Sequence, residues 1–317
     1  MSYSYSPELK APQKMPDIDP GKAAMAGMLK ILCLTHQKQT AAFRSPEGLA
    51  CRKISVQAAD GAQIPCFVVE PESSDDPLPG VLMIHGGGFY LPVQTSALAL
   101  GCEYARGLNA RVFLPEYRLV PQFTAPTQLN DCMAVWLELQ RHAVDPSRLL
   151  VIGDSAGAAL TAGLCIGLCG RACPQPKGQM LIYPVLDDRV ELYASYEKYA
   201  DACWSPKATK AMWDAYLKGA DESLLPCLVP AQCEDLSGLP PAYIEPQEID
   251  VLHDEAVAFA SALQKGGVSV ELNEIVGSYH GFDSDLSSPL VRRVIAHFLI
   301  VVLSKVNRRP ERDRHNG

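Results

Sequence analysis

Short, uninterrupted apolar runs alternate with helix-like stretches along most of the chain. The run at 80–84 contains no charged residue and is typical of a strand buried on both faces. Helices and strands follow it in turn, predicted at 96–108, 111–115, 125–142, 148–152, 156–169 and 179–185. Parallel strands joined by helices require right-handed crossovers. The pattern therefore predicts an α/β fold with a mostly parallel sheet flanked by helices.

The alternation begins after a predicted hairpin, because Asp60-Gly61 separates two alternating runs. It stops at 186–225, which has no strand-like run and is interpreted as an insertion over the C-terminal edge of the sheet. It resumes with a strand at 241–245, a helix at 254–264, a strand at 268–276 and a final helix at 289–305. We expect residues 1–45 to form an N-terminal segment outside this alternation, 46–305 the main α/β domain and 306–317 a flexible tail.

The N-terminal segment carries an apolar stripe at helical spacing, formed by Met25, Met28, Leu29 and Leu32. An apolar stripe must be buried against another element. The crossover helices already cover the sheet, so we expect the stripe to pack against the insertion. Its aromatic residues, Trp204, Trp213 and Tyr216, would then form a roof over a pocket together with it.

Composition and charge exclude several classes of protein. The 317 residues are 48% hydrophobic and 20% charged, with a net charge of −8 and no basic run, which disfavours nucleic-acid binding. The longest apolar run near the C-terminus is too short to cross a bilayer, and the first residues do not resemble a secretory signal, so no membrane partner is expected. Eleven scattered cysteines favour a reducing cytoplasm.

Three of the cysteines, Cys165, Cys169 and Cys173, share one face of a predicted helix. This spacing leaves a metal site open as an alternative. A tetrahedral site needs a fourth ligand, and none is evident nearby. We therefore interpret the three thiols as small buried side chains and expect no metal.

One pentapeptide of the type G-x-S-x-G occurs in the chain, Gly153-Asp154-Ser155-Ala156-Gly157, between a predicted strand and a helix of small residues. This context is that of a nucleophile elbow, a tight turn that raises a serine hydroxyl above the sheet at a helix N-terminus. Side chains at 153 and 157 would collide with neighbouring backbone. Ser155 is therefore the candidate nucleophile, and an ordinary glycine-rich turn is the alternative.

A second glycine-rich motif, His85-Gly86-Gly87-Gly88, follows the first predicted buried strand. Acyl transfer needs preorganised N–H donors around the tetrahedral oxyanion. We assign the peptide N–H groups of Gly87, Gly88 and Ala156 to that oxyanion hole. A phosphate-binding loop is disfavoured because its lysine and glycine spacing are missing. His85 is expected to brace the loop.

A serine nucleophile needs a base and an acid that orients the base. Among the seven histidines, His280 alone lies in a loop between the last predicted strand and the final helix. Asp250 follows the preceding predicted strand through a short loop and is the preferred acid. Glu248, Asp254 and Glu255 are the alternatives, although acids at a helix start are expected on electrostatic grounds alone. The chain order serine, acid, histidine is that of α/β-hydrolases.

Several motifs in this order resemble those of the hormone-sensitive-lipase family of α/β-hydrolase esterases. They are HGGGF at 85–89, YRLVP at 117–121, GDSAG at 153–157, LSGLPPA at 236–242, DVLHDE at 250–255 and HGF at 280–282. The resemblance covers roughly 45–305. It implies the α/β-hydrolase fold, with 46–305 as the catalytic domain and an eight-stranded sheet under a helical cap built from residues 1–45 and the insertion at 186–225. It also implies carboxylesterase activity on short acyl chains without a cofactor. Val251 and the segment 245–247 depart from the family's pattern beside Asp250.

Two other functions stay open at this point. A deacetylase or amidase would use the same Ser155, Asp250 and His280. A non-catalytic small-molecule receptor would resemble gibberellin-receptor-like proteins, which lose the base histidine, and the presence of His280 favours an enzyme. The expected partner is a small-molecule ester, and a homodimer is left open.

Overall fold

The computed structural model describes residues 3–74 and 77–306. The strands are β1 (Leu49–Gln57), β2 (Gln63–Pro71), β3 (Leu78–Ile84), β4 (Arg111–Pro115), β5 (Val144–Asp154), β6 (Gln179–Ile182), β7 (Ala242–Glu245), β8 (Gln247–Ile249), β9 (Val270–Leu272) and β10 (Ile275–Tyr279). The helices are α1 (Ala26–Ala41), α2 (Thr95–Leu108), α3 (Thr127–Leu139), α4 (Ala156–Leu168), α5 (Ser195–Lys198), α6 (Pro206–Tyr216), α7 (Leu225–Leu228), α8 (His253–Lys265) and α9 (Pro289–Val306).

Eight strands form one sheet in the order β1-β2-β4-β3-β5-β6-β7-β9. β1 and β2 pair antiparallel through the predicted hairpin turn, where Gly61 has φ +87°. β2 is also antiparallel to β4, and the pairs from β4 to β9 are parallel. The predicted α/β-hydrolase fold with a mostly parallel, eight-stranded sheet is confirmed.

The single strand predicted at 268–276 is wrong, because the chain there forms two strands in different sheets. β9 is the last strand of the main sheet, whereas β10 pairs in parallel with β8 in a separate two-stranded sheet. The break lies between them, where the Asn273 N–H donates to Ile244 O at 2.9 Å and the Ile275 N–H to Pro246 O at 3.1 Å. The chain thus leaves the sheet edge and carries His280 toward the carboxyl ends of the central strands.

Three predicted boundaries also differ from the structure. The strand predicted at 179–185 ends at Ile182, because Tyr183 has a left-handed backbone with φ +33°. The helix predicted at 125–142 covers only α3, and β5 begins four residues earlier than predicted, at Val144. Boundaries of this kind depend on turns that hydrophobic periodicity does not encode.

The central strands are buried on both faces, as the apolar run at 80–84 predicts; every residue of β3 is buried. α4 lies against this core and is built from small residues so that other backbone can approach closely. A Cβ added at Gly163 would lie 2.0 Å from Cys227 O. Because parallel strands end at the same edge, the residues after β3 and β5 are brought together there.

The N-terminal residues divide into an irregular segment, 3–19, and α1. On α1, Leu29 is buried, but Met28, Ile31 and Leu34 are exposed by 38%, 66% and 55%. The predicted apolar stripe is therefore only partly buried. Trp213 and Tyr216 of the insertion are fully buried.

The N-terminal segment 3–19 joins the insertion to the region around His280. Its contacts with the insertion include hydrogen bonds from the Met15 N–H to Cys203 O (2.8 Å) and from Ser205 Oγ to Asp17 Oδ1 (2.5 Å). Its contacts near His280 include Ser6 N–H to Gly277 O (2.8 Å), a bidentate Glu8–Arg293 pair (2.7 and 2.8 Å) and a Lys10–Asp285 ion pair (2.8 Å). The division into cap segment, catalytic domain and insertion stays a prediction, and the tail at 307–317 lies outside the described residues.

All eleven cysteines are free thiols. The prediction that Cys165, Cys169 and Cys173 are buried on one helix face is wrong for two of them, because α4 ends at Leu168: Cys165 is buried, whereas Cys169 is exposed and Cys173 is partly exposed. Within residues 3–74 and 77–306, no group of three His, Cys, Asp or Glu side chains is arranged to hold a metal ion. In the same part of the chain, no helix has the length and apolar character needed to cross a membrane.

Candidate active site

Ser155 occupies a strained turn between β5 and α4, with φ 52° and ψ −121°. The turn is tight enough to require the two flanking glycines. A Cβ at Gly153 would lie 2.3 Å from Gly157 O, and one at Gly157 would lie 2.0 Å from Ile84 O. Such backbone strain persists only where the surrounding structure enforces it, and here it holds the Ser155 hydroxyl above the sheet edge.

Ser155, His280 and Asp250 form one continuous chain of hydrogen bonds. Ser155 Oγ lies 2.9 Å from His280 Nε2, and His280 Nδ1 lies 2.7 Å from Asp250 Oδ2. A carboxylate can only accept, so Nδ1 donates to Asp250 and Nε2 is free to accept from the serine hydroxyl. The other oxygen of Asp250 accepts the Leu252 N–H at 3.2 Å. With the carboxylate 1% exposed, both its oxygens are held in place.

The three alternative acids bind elsewhere. Glu248 accepts the Gly277 N–H (2.7 Å), Asp254 accepts the Ser195 N–H (2.8 Å), and Glu255 accepts both the Leu186 N–H (2.7 Å) and the Tyr196 hydroxyl (2.8 Å). Burial raises the pKa of Glu255 well above its ordinary value. Asp254 and Glu255 thus attach the start of α8 to the insertion, whereas Asp250 is the acid that contacts His280.

The glycine loop after β3 lies against the serine turn, since a Cβ at Gly86 would be 3.1 Å from Ser155 Cβ. Gly87 and Gly88 have φ values of +103° and +61°, which favour glycine. Among the described hydrogen bonds, none uses the N–H of either residue. Ala156 is the first residue of α4, so its N–H has no acceptor within the helix. These three N–H groups are available to an anion beside Ser155.

His85 and Asp154 lie against the glycine loop. The His85 ring stacks on Tyr117 at 4.3 Å, and its Nδ1 donates to Gly86 O at 2.7 Å. Burial lowers the pKa of His85 to about 4, so the ring is neutral at pH 7. A Cβ at Gly86 would lie 2.4 Å from Asp154 Oδ2, which shows how closely the carboxyl group approaches the loop. Burial, with the charge of Asp283 adding to it, raises the pKa of Asp154 to about 7.

Two aromatic rings hold the His280 imidazole. Trp204 stacks on it with centroids 5.6 Å apart, and Tyr183 meets it edge-on at 4.9 Å. The Tyr183 hydroxyl donates to Asp283 Oδ1 at 2.7 Å. Sequence reasoning did not single out Tyr183 or Asp283. Two features of the sequence could have identified them: Tyr183 directly follows a predicted parallel strand, and Asp283 directly follows the HGF motif.

A cavity of about 310 Å³ opens over Ser155 and His280. Met15 of the N-terminal segment, Trp204 of the insertion and Tyr90 are among the residues that line it. A volume at the lower end of the range for small-molecule pockets suits a compact substrate. The walls therefore combine a reactive hydroxyl, an acceptor nitrogen and free N–H donors around a small space.

Several known proteins with similar sequences or structures are named as esterases. A family model described as an alpha/beta hydrolase fold matches residues 81–284. Carboxylesterase NlhH of Mycobacterium tuberculosis is 33% identical over 230 residues, covering 69% of this chain and 71% of that protein. Ethyl acetate hydrolase of Pseudomonas putida is 31% identical over 237 residues, covering 72% of this chain and 74% of that protein.

Among solved structures, a bacterial heroin esterase superposes with a TM-score of 0.80 at 31% identity, covering 92% of this chain and 99% of that one. The matched family region contains the serine turn, the glycine loop and His280. The chain is a carboxylic ester hydrolase, and it belongs to the hormone-sensitive-lipase-like esterases of the α/β-hydrolase fold.

Proposed function

We propose that this protein is a serine carboxylesterase that hydrolyses short-chain acyl esters through an acyl-enzyme intermediate. The observation that carries the proposal is the hydrogen-bonded chain from Ser155 through His280 to Asp250, with interatomic distances of 2.9 and 2.7 Å. The free N–H groups of Gly87, Gly88 and Ala156 lie beside it and supply the oxyanion hole.

In the first half of the reaction, Ser155 Oγ attacks the ester carbonyl while His280 Nε2 takes its proton. Asp250 holds the ring in the required tautomer and stabilises the imidazolium. The oxyanion is stabilised by the loop and helix N–H groups, each worth about 3 kcal/mol in such sites. His280 then protonates the departing alkoxide, and the alcohol leaves the acylated Ser155.

In the second half, water takes the place of the alcohol. His280 removes a proton from the water as it attacks the acyl carbonyl, and the same N–H groups stabilise the second tetrahedral intermediate. Return of the proton to Ser155 Oγ releases the carboxylic acid. Every proton in this cycle passes through His280 Nε2, so the cycle needs no cofactor.

A preference for short acyl chains is supported by the cavity of about 310 Å³. The N-terminal segment and the insertion at 186–225 would act as its cap, since Met15 and Trp204 line the cavity. The name of the relative ethyl acetate hydrolase points to a similarly small acyl group. The free thiols favour a reducing compartment, which supports a cytoplasmic location.

The direct test compares the wild type with Ser155→Ala on p-nitrophenyl butyrate. We expect kcat to fall by about 10⁵ or more while the fold is retained, because the members of a triad act as a unit. A fluorophosphonate should add to wild-type Ser155, as intact and peptide mass spectrometry would show. Full activity of the alanine variant, or an adduct on another residue, would contradict the mechanism. Acetylated sugars and aryl amides in the same assay separate an esterase from a deacetylase or amidase.

A further inference from the structure

Tyr90 stands between the catalytic cavity and a second, larger cavity. It lines the 310 Å³ space over Ser155, and it also lines a groove of about 570 Å³ beneath α1. Its side chain is 4% exposed, and its ring lies against Gly88, where a Cβ would be 2.4 Å from Tyr90 Cε1. Tyr90 is thus the residue shared by the linings of the two spaces, and it lies directly beside the oxyanion loop.

Most residues that line the groove are apolar. Two part-buried charged residues, Glu116 and Arg118, line it as well, and each is in an ion pair, with Lys53 at 2.6 Å and with Asp131 at 2.7 Å. Leu29, Tyr117 and Val120 on its floor are buried, with exposures of 5%, 2% and 3%. Lys30 and Gln37 at its rim are exposed. An extended hydrocarbon chain could lie on such a floor while the rim stays hydrated. The groove therefore adjoins the esterase site at Tyr90, and its mainly apolar lining suits a hydrocarbon chain.

The Tyr90 ring is held by packing rather than by hydrogen bonding. Its backbone is fixed, because its N–H donates to Gly87 O at 3.1 Å and Cys33 Sγ contacts its carbonyl oxygen at 3.5 Å. Among the residues the structure describes, none hydrogen-bonds to its hydroxyl, whereas a buried tyrosine hydroxyl usually has a partner. The side chain can therefore be removed or turned without leaving a polar group unpaired.

The direction of the groove selects the acyl part of the ester over the alcohol part. His280 must protonate the leaving oxygen, so the alcohol lies on the His280 side, next to Trp204 and Met15. The groove is lined by residues of α1 and of the segment 116–123, and by none from the loop that carries His280. The acyl chain leaves the carbonyl carbon in another direction than the leaving oxygen, which leaves the Tyr90 wall, rather than the Trp204 wall, for the acyl chain.

We propose that Tyr90 is the residue that sets the acyl-chain limit of this enzyme, and that the groove beneath α1 is the continuation of the acyl site. The inference rests on the proposed function. With the ring in place, chains that exceed the catalytic cavity meet a wall. Without it, methylenes beyond the wall are buried on the groove floor.

The test measures kcat/KM for p-nitrophenyl butyrate and p-nitrophenyl octanoate and takes the octanoate-to-butyrate ratio. A ratio cancels any general loss of activity caused by changing a neighbour of Gly88. Each methylene newly buried contributes about fourfold to kcat/KM. Tyr90→Ala should therefore raise the ratio at least about tenfold. Tyr90→Phe, which keeps the ring, should leave the ratio at the wild-type value.

A blocking variant ties the effect to the groove. Adding Leu29→Trp to Tyr90→Ala should fill the floor and return the ratio toward the wild-type value, with Leu29→Trp alone as the reference. If Tyr90→Ala does not fold, Tyr90→Leu opens the wall while keeping apolar packing, and fluorophosphonate labelling reports whether the site is intact.

Two results would overturn the proposal. The first is an unchanged octanoate-to-butyrate ratio in a Tyr90→Ala protein that still reacts with fluorophosphonate. The second is a gain in kcat/KM found only for octyl acetate relative to butyl acetate, which would assign the groove to the alcohol. Wild-type protein without activity on any ester would instead refute the proposed function.

Discussion

Replacement of Asp250 by asparagine tests which acid orients His280. The carboxylate has two fixed partners, since Oδ2 accepts from His280 Nδ1 at 2.7 Å and Oδ1 accepts the Leu252 N–H at 3.2 Å. An asparagine keeps its oxygen on the Leu252 N–H, because an amide NH₂ cannot accept there. Its NH₂ group must then face His280 Nδ1. That contact forces Nδ1 to accept and places the imidazole proton on Nε2, where Ser155 needs an acceptor.

The expected loss follows from this wrong tautomer. A comparable substitution in a serine hydrolase triad costs about 10⁴ in kcat, equivalent to about 5 kcal/mol of transition-state stabilisation. The assay is kcat on p-nitrophenyl butyrate, with circular dichroism to confirm that the variant folds. The rate of fluorophosphonate labelling of Ser155 should fall in parallel, because the same base activates the serine.

Asp254→Asn is the matched control. Asp254 lies four residues away and accepts the Ser195 N–H at 2.8 Å, so its loss should weaken a contact with the insertion and reduce kcat less than tenfold. A loss below tenfold for Asp250→Asn, or a larger loss for Asp254→Asn, would refute the reasoning and assign the orienting role to another acid.

Two further predictions concern the cap and the pH dependence of stability. Removal of residues 1–40 should raise KM for short esters and broaden the chain-length preference, because Met15 lines the cavity. Ser155 should still react with fluorophosphonate. Unchanged steady-state kinetics in a folded truncation would show that this segment does not shape the site. Burial raises the pKa of Glu245 to about 8, compared with about 4.3 in an unfolded chain. The protonated carboxyl therefore contributes to the free energy of unfolding, and this contribution is fully present below about pH 4 and is lost as the pH rises through 8. Glu245→Gln should therefore raise Tm relative to the wild type more at pH 9 than at pH 5 in differential scanning calorimetry, and the reverse order would contradict the assigned direction.

The sequence was most informative where chemistry restricts residue type. Gly153 and Gly157 could be recognised because no side chain fits beside the neighbouring backbone, and the serine between them follows from that turn. His280 could be selected by its position after a strand. The fold class followed from the alternation of apolar runs and helices, which the sheet order confirms.

The sequence did not predict features that depend on contacts between distant segments of the chain. Nothing in the run at 268–276 indicates that the chain changes sheets, because β9 and β10 differ only in their partners. The stack of Trp204 on His280 joins an insertion to a distant loop, and periodicity within either segment does not encode it. The sequence also did not predict that Ile31 and Leu34 on α1 are exposed. Hydrophobic residues are predicted to be buried whether or not another element is available to cover them.

The contacts of the N-terminal segment have a consequence for biosynthesis. Glu8 pairs with Arg293, a residue 285 positions later, and Lys10 O accepts a hydrogen bond from Tyr279, 269 positions later. During translation the earliest residues emerge long before these partners do. Residues 6–10 therefore stay without these partners until the region at 277–293 is made, although Met15 and Asp17 meet Cys203 and Ser205 earlier. Closure of the site is then a late event in folding, because an unfinished polypeptide on the ribosome lacks both His280 and the contacts that join residues 6–10 to its loop.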